Sequence, residues 1–277
     1  MAMTAQPGGA RPAARLLHLA YVALVYGFFY LPILVIILFA FNGKPILTLP
    51  LENLGLQWFR DALSNHKLMS ALWASTWIGL VTAVLACAIG MPAAMVLAWR
   101  PFRGKSAVLG LILAPIIIPQ MVVGISLLLL FRVAPDLLGP IAIIIAHTTL
   151  TLCLSVMIFY SRLLGFRRSY IEAAMDLGAS EFRVFVEVVL PLTMPAIMAV
   201  LLMAFTESFG EFIVAWFVAG FEETLPIAIW TSLRYVLSPR INAIATLIML
   251  ASAALTTVAQ LWILRQTRTE AGPGGHR

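Results

Sequence analysis

The chain has 277 residues, 62% of them hydrophobic and only 11% charged, with a mean hydropathy of +0.99. Soluble domains run near half apolar and a quarter charged, so this composition belongs in lipid and excludes a water-soluble globular domain. The net charge of +6 does not point to nucleic acid, because the basic residues flank apolar blocks instead of forming a stripe with interleaved aromatics.

Crossing a hydrocarbon core of roughly 30 Å takes about 20 apolar residues in a helix. Blocks of that length predict an all-α polytopic membrane protein with six transmembrane helices, near 16–41, 69–99, 106–131, 140–161, 193–219 and 241–264. The first block is too long for a signal-peptide core and is followed by Asn42-Gly43-Lys44-Pro45, not by a small-x-small cleavage site, so it reads as a retained anchor. The ends, 1–15 and 265–277, are rich in Gly, Pro and Arg and are predicted to be disordered, leaving 16–264 as the membrane domain.

An even number of spans puts both termini on one side. The segments on that side hold Arg11, Arg15, Arg100, Arg103, Lys105, Arg162, Arg167, Arg168 and Arg183, with more at the C-terminus. The other side holds Lys44, Arg60, Lys67, Arg132, Arg234 and Arg240, so the positive-inside rule predicts cytoplasmic termini. In the first outer loop, 42–68, Trp58, Phe59 and Leu63 fall at helical spacing and predict a short interfacial helix. Prolines at 92, 115, 119 and 140 lie in or beside spans and predict kinks and close packing around a cavity. Cys87 and Cys153 fall inside spans and read as small apolar side chains, neither a disulfide framework nor a metal site.

The loop between the fourth and fifth spans, about 162–192, has its own local chemistry. Ser169 followed by Glu172 makes a capping box, and Leu177-Gly178 supplies a left-handed stop. A second helix is expected from near Ser180, with Phe182, Phe185, Val186 and Val189 turned to the bundle and Leu190-Pro191 redirecting the chain. Such a pair of helices is either a knob that fits a groove on a partner or an ordinary amphipathic connector.

Glu172-Ala173-Ala174, then Gly178, then Leu190-Pro191 at this spacing resembles the EAA loop of permease subunits in type I ATP-binding-cassette importers. The one departure is Val188, where that family usually has Ile. The resemblance implies a coupling helix: these residues, with Asp176, Leu177 and Ala179, dock on a separate ATPase. It extends to Gln57-Trp58-Phe59 and to the C-terminal third. There Ser208-Phe209-Gly210-Glu211, Thr224-Leu225-Pro226 and Ser238-Pro239-Arg240 look like the spermidine/putrescine permeases. Gly210 stands where those relatives often carry an acid, and Ala74 replaces a frequent Asn. The partners so implied are a homologous permease, an ATPase dimer that binds the ATP and magnesium, an extracytoplasmic substrate-binding protein and the lipid of a bacterial inner membrane. No cofactor is implied for this chain.

Gly104-Lys105-Ser106 imitates the end of a phosphate loop, but position 99 is Trp where a Gly is needed, and no other segment offers a phosphate cradle. Glu207 and Glu211, at i and i+4 on the fifth predicted span, share a face near its midpoint. Placing such charges in a membrane costs about 3 kcal/mol each, so both should face protein or water. They either receive a cationic cargo or serve structure, protonated or paired with an arginine such as Arg132 or Arg234. Trp216, Phe217 and Trp230 are candidate cation–π walls or members of an aromatic belt. His147, beside Thr148 and Thr149, either bonds across helices or touches substrate. The reading is therefore an importer permease for a polyamine. Its rivals are a permease for another small solute, such as an aminophosphonate, an amino acid derivative or an iron complex, and a stand-alone ion-coupled carrier.

Overall fold

The computed structural model describes residues 12–235 and 238–270, and the regular elements among them are all helical. The first helix, α1 (Pro12–Ala40), is followed by the short α2 (Gln57–Ser64) and the long α3 (His66–Trp99). Next come α4 (Lys105–Ile117), α5 (Gln120–Phe131) and α6 (Pro140–Leu164). Then α7 (Ser169–Asp176) and α8 (Glu181–Val184) precede a π-helical turn at Phe185–Val189, which leads directly into α9 (Leu190–Gly210). The order closes with α10 (Ile213–Val218), α11 (Leu225–Tyr235) and α12 (Pro239–Glu270).

Among the described residues, five helical runs are long and apolar enough to cross a bilayer: those within α1, α3, α6, the continuous Glu181–Gly210 and α12. The expected third span is two helices, α4 and α5, meeting at 103°, and counted as one broken span they make the sixth. The break has a local cause. Ile118 adopts the extended backbone favoured before a proline, and Pro119 has no N–H to continue the ladder.

Three further expectations are corrected. The fifth span does not run to 219: it stops at Gly210, Glu211 is extended, and α10 is a separate helix. Leu190-Pro191 does not redirect the chain. The π turn instead lets the Leu190 N–H reach the Phe185 carbonyl, widening the helix where the Pro191 ring would crowd a regular α ladder. Parts of the ends predicted as disordered, 12–15 and 265–270, are helical, while 1–11 and 271–277 lie outside the described residues.

The chain divides into two units, Met1–Leu63 with Val236–Ile248, and Ser64–Tyr235 with Met249–Arg277. In the first, α1 leaves its side chains from Arg15 to Phe39 exposed or half-buried, a surface for acyl chains to cover. Asn42 organises the loop after it: buried, it donates to the Ile46 carbonyl and accepts from the Glu52 N–H. The Trp58 indole of α2 donates to the Asn42 carbonyl at 2.6 Å, Phe59 packs on Phe41, and Arg240 Nε meets Asp61 Oδ2 at 2.5 Å.

In the second unit α3, α6 and α9 form the core. Beside Leu68, Ile78, Met91 and Leu97, the buried residues of α3 include Ala71, Ser75, Gly79, Ala83, Ala86, Gly90 and Ala94, small residues that let helices approach closely. A Cβ on Gly79 would stand 3.1 Å from the Phe205 ring, and one on Gly90 3.0 Å from Ser155. Between α5 and α10 the approach is tighter, with a Gly124 Cβ 2.6 Å from the Phe217 ring. Lys105, from the false phosphate loop, lies 5.6 Å over the Tyr160 ring.

Candidate functional site

The two helix breaks of the second unit meet around one cavity of about 390 Å3. Gln120 enters it from the first turn of α5, Thr206, Glu207 and Gly210 from the end of α9, and Glu211 and Phe212 from the link to α10. Irregular backbone inside a membrane protein is tolerated where it lines a cavity, and this volume falls in the range of roughly 300–1,000 Å3 typical of small-molecule sites.

The two carboxylates differ. Glu207 is exposed into this space and has no ion-pair partner among the described residues. Glu211, only 8% exposed, turns back onto the start of α10. There it accepts from the N–H groups of Val214 at 3.0 Å and Ala215 at 3.0 Å, donors that the first turn of a helix otherwise leaves unmatched. Behind it His147, from α6, holds Nδ1 2.8 Å from Ser208 Oγ and Nε2 3.4 Å from Glu211 Oε2. That second contact lies at ion-pair distance but outside hydrogen-bond alignment. Beside the cavity Phe212 packs between Trp216 and Trp230, with ring centroids 5.7 and 5.6 Å away.

A second feature is the segment over α7, α8 and the π turn. Ser169 falls inside the first turn of α7 and forms no side-chain cap, so the capping box is absent. The C-terminal stop is a Schellman motif: the Gly178 N–H bonds to Met175 O, the Ala179 N–H to Ala174 O, and Gly178 takes φ 86°. Ser180 then caps α8 through the Arg183 N–H. Glu172, Ala173, Asp176, Leu177, Gly178 and Pro191 are exposed, whereas Ala174, Ala179 and Leu190 pack against the core. Of the apolar face expected on the second helix, Phe185 and Val189 turn inward. Phe182 and Val186 are instead exposed, at 76% and 40%, and Val184 and Val188 pack inward in their place.

Residues 86–269 match the family described as the binding-protein-dependent transport system inner membrane component. The chain belongs to this family. The permease is 33% identical over 259 residues to the spermidine/putrescine transport system permease protein PotC of Escherichia coli strain K12, covering 93% of this chain and 98% of that one. It is 35% identical over 240 residues to the putrescine transport system permease protein PotI of the same strain, covering 84% of this chain and 85% of that one. With PotC of Haemophilus influenzae it shares 35% over 243 residues, 87% of this chain and 94% of that one. Its fold is that of a bacterial ABC transporter involved in the import of the acidic polysaccharide alginate, with TM-score 0.71 at 16% identity over 92% of this chain and 99% of that one. The MetNI methionine ABC transporter, in an inward-facing form, follows at TM-score 0.54 and 20% identity over 73% of this chain and 95% of that one. The permease is thus a multi-pass inner-membrane protein and the transport subunit of an ABC importer.

Within the permease, the structure brings Glu207, Glu211, Trp216 and Trp230 to one region, with His147 behind Glu211. It does not keep the two carboxylates on one helical face, because the chain leaves the helix between them. The sequence reading missed Gln120, Thr206 and Phe212. Pro119 signalled the break that admits Gln120, but nothing local to Phe212 marked it as the ring joining two tryptophans. Glu211→Ala is expected to destabilise the permease by about 1–3 kcal/mol, since the Val214 and Ala215 donors would lose their acceptor at a position only 8% exposed. Glu211→Gln, which keeps an accepting oxygen, should lose less. Thermal unfolding of the purified variants measures both, and equal losses would remove the capping role.

Proposed function

We propose that the permease forms half of a polyamine pathway, paired with a homologous permease, driven by an ATPase dimer and supplied by an extracytoplasmic binding protein. The observation that carries the reading is Glu207: a carboxylate without an ion-pair partner among the described residues, in a cavity between two broken helices and beside a cluster of three aromatic rings. A flexible cation with several ammonium groups suits such a place, since charge-assisted hydrogen bonds and ring faces both favour it. The relatives named for spermidine and putrescine support the same cargo. Glu211, already engaged by backbone N–H groups, orients the wall more than it receives the cargo.

The exposed edge of α7 and its glycine stop form the docking knob for the ATPase. Ala174, Ala179 and Leu190 transmit its movement by packing on the core, and the bundle rocks around the cavity to give alternating access. ATP and magnesium belong to the ATPase, and both termini of the permease face the cytoplasm, on the side rich in Arg and Lys. Reconstituting the permease with its partner permease, ATPase and binding protein in proteoliposomes tests the reading. Labelled putrescine or spermidine should accumulate only with ATP. Accumulation driven by an ion gradient without ATP would identify a secondary carrier, and ATP-driven uptake of another solute in place of polyamines would reject the cargo.

A further inference from the structure

A second cavity, of about 360 Å3, lies where the end of α3 meets α7, α8 and the π turn. Its polar lining is Trp99, Arg100, Arg168 and Glu181. Neither arginine makes an ion pair among the described residues, and the Trp99 indole N–H is buried without an acceptor. The rest of the lining includes Met95, Ile171, Val184 and Phe185. Two guanidiniums beside an apolar wall call for an anion with several acceptor oxygens joined to a hydrocarbon. The α3 helix is long and apolar enough to cross a bilayer and ends at Trp99, so the cavity lies at one end of that span, within reach of a lipid headgroup.

We propose that this cavity binds the phosphate of an amphiphile, the chemistry offered by an anionic phospholipid. The guanidiniums hold the phosphate oxygens by charge-assisted hydrogen bonds. Glu181 repels phosphate from its own side and accepts instead from a headgroup hydroxyl, which orients the ligand. The apolar wall covers the first methylenes of the chain. A ligand so held touches both the end of a membrane span and the segment proposed to dock the ATPase. Its mechanical consequence, a stiffer joint between knob and bundle, rests on that proposal. The binding itself does not.

Native mass spectrometry of the purified, delipidated importer complex with added phosphatidylglycerol or phosphatidylcholine tests the site. Phosphatidylglycerol should be retained in preference to phosphatidylcholine. Arg100→Gln with Arg168→Gln should weaken retention by about tenfold for each guanidinium removed. Val96→Trp keeps every charge, adds bulk at a lining position that is 52% exposed, and should block the lipid even if the double variant assembles poorly. Arg103→Gln removes an exposed charge near the end of α3 but outside the cavity, and should bind as wild type. Equal retention by wild type, the double variant and Val96→Trp overturns the proposal, as does an equal loss in Arg103→Gln. Displacement of the lipid by excess glycerol 3-phosphate assigns the site to soluble organic phosphates, and persistence of the lipid assigns it to the bilayer. Because the readout is binding, failure here leaves the cargo reading untouched, and loss of polyamine uptake leaves this one untouched.

Discussion

Gly178→Arg is expected to insert and accumulate like the wild type while uptake falls to background. A Cβ at Gly178 meets nothing within 4 Å, so the arginine has room in the isolated chain and the internal cost is confined to the left-handed backbone at φ 86°, about 1–2 kcal/mol. Against the ATPase the same side chain is an unpaired charge forced into a packed contact, which costs about 3–5 kcal/mol and is enough to uncouple the two subunits. Gly178→Asn separates the effects, because Asn tolerates positive φ and carries no charge, and it should keep most of the transport. ATP-dependent uptake and co-purification of the ATPase are the measurements. Normal uptake by the arginine variant would reject docking at this knob.

The features legible in the sequence were those set by local chemistry or by length. Membrane-long apolar blocks located the spans because burial of that many apolar residues admits few alternatives, and Leu177-Gly178 stopped α7 because only a residue without a side chain enters left-handed backbone freely. What stayed hidden was decided by partners far along the chain. Apolar residues continue past Gly210, so hydropathy ran the fifth span on to 219, whereas the structure stops it there and turns the Glu211 carboxylate onto α10. The partner of Glu211 is His147, on another helix, and not either arginine considered from the sequence. For His147 the interhelical alternative describes the contact that the structure shows, with Ser208. The π turn before Pro191 was equally invisible, since a proline in a sequence reads as a break and the accommodation depends on widening the preceding turn.

Those long-range contacts leave Glu207 and Glu211 unequal, and the largest effect on cargo should come from Glu207 alone. Capture of the substrate belongs to the binding protein in the proposed assembly, so the concentration for half-maximal uptake should change little in Glu207→Gln. The loss should appear in the maximal rate, because the carboxylate matters once the cation has left the binding protein and sits between the broken helices. Replacing a charge-assisted contact with a neutral one in a partly hydrated cavity costs about 1–2 kcal/mol, so the maximal rate of polyamine uptake should fall about tenfold. Glu207→Asp, which keeps the charge on a shorter stem, should recover part of it. Neither variant removes a buried contact, since Glu207 is exposed and without an ion-pair partner among the described residues, so complex yield and thermal stability should match the wild type. A full maximal rate in Glu207→Gln would move the cation's path elsewhere. A stability loss equal to that of Glu211→Ala would mean that Glu207, too, serves the fold.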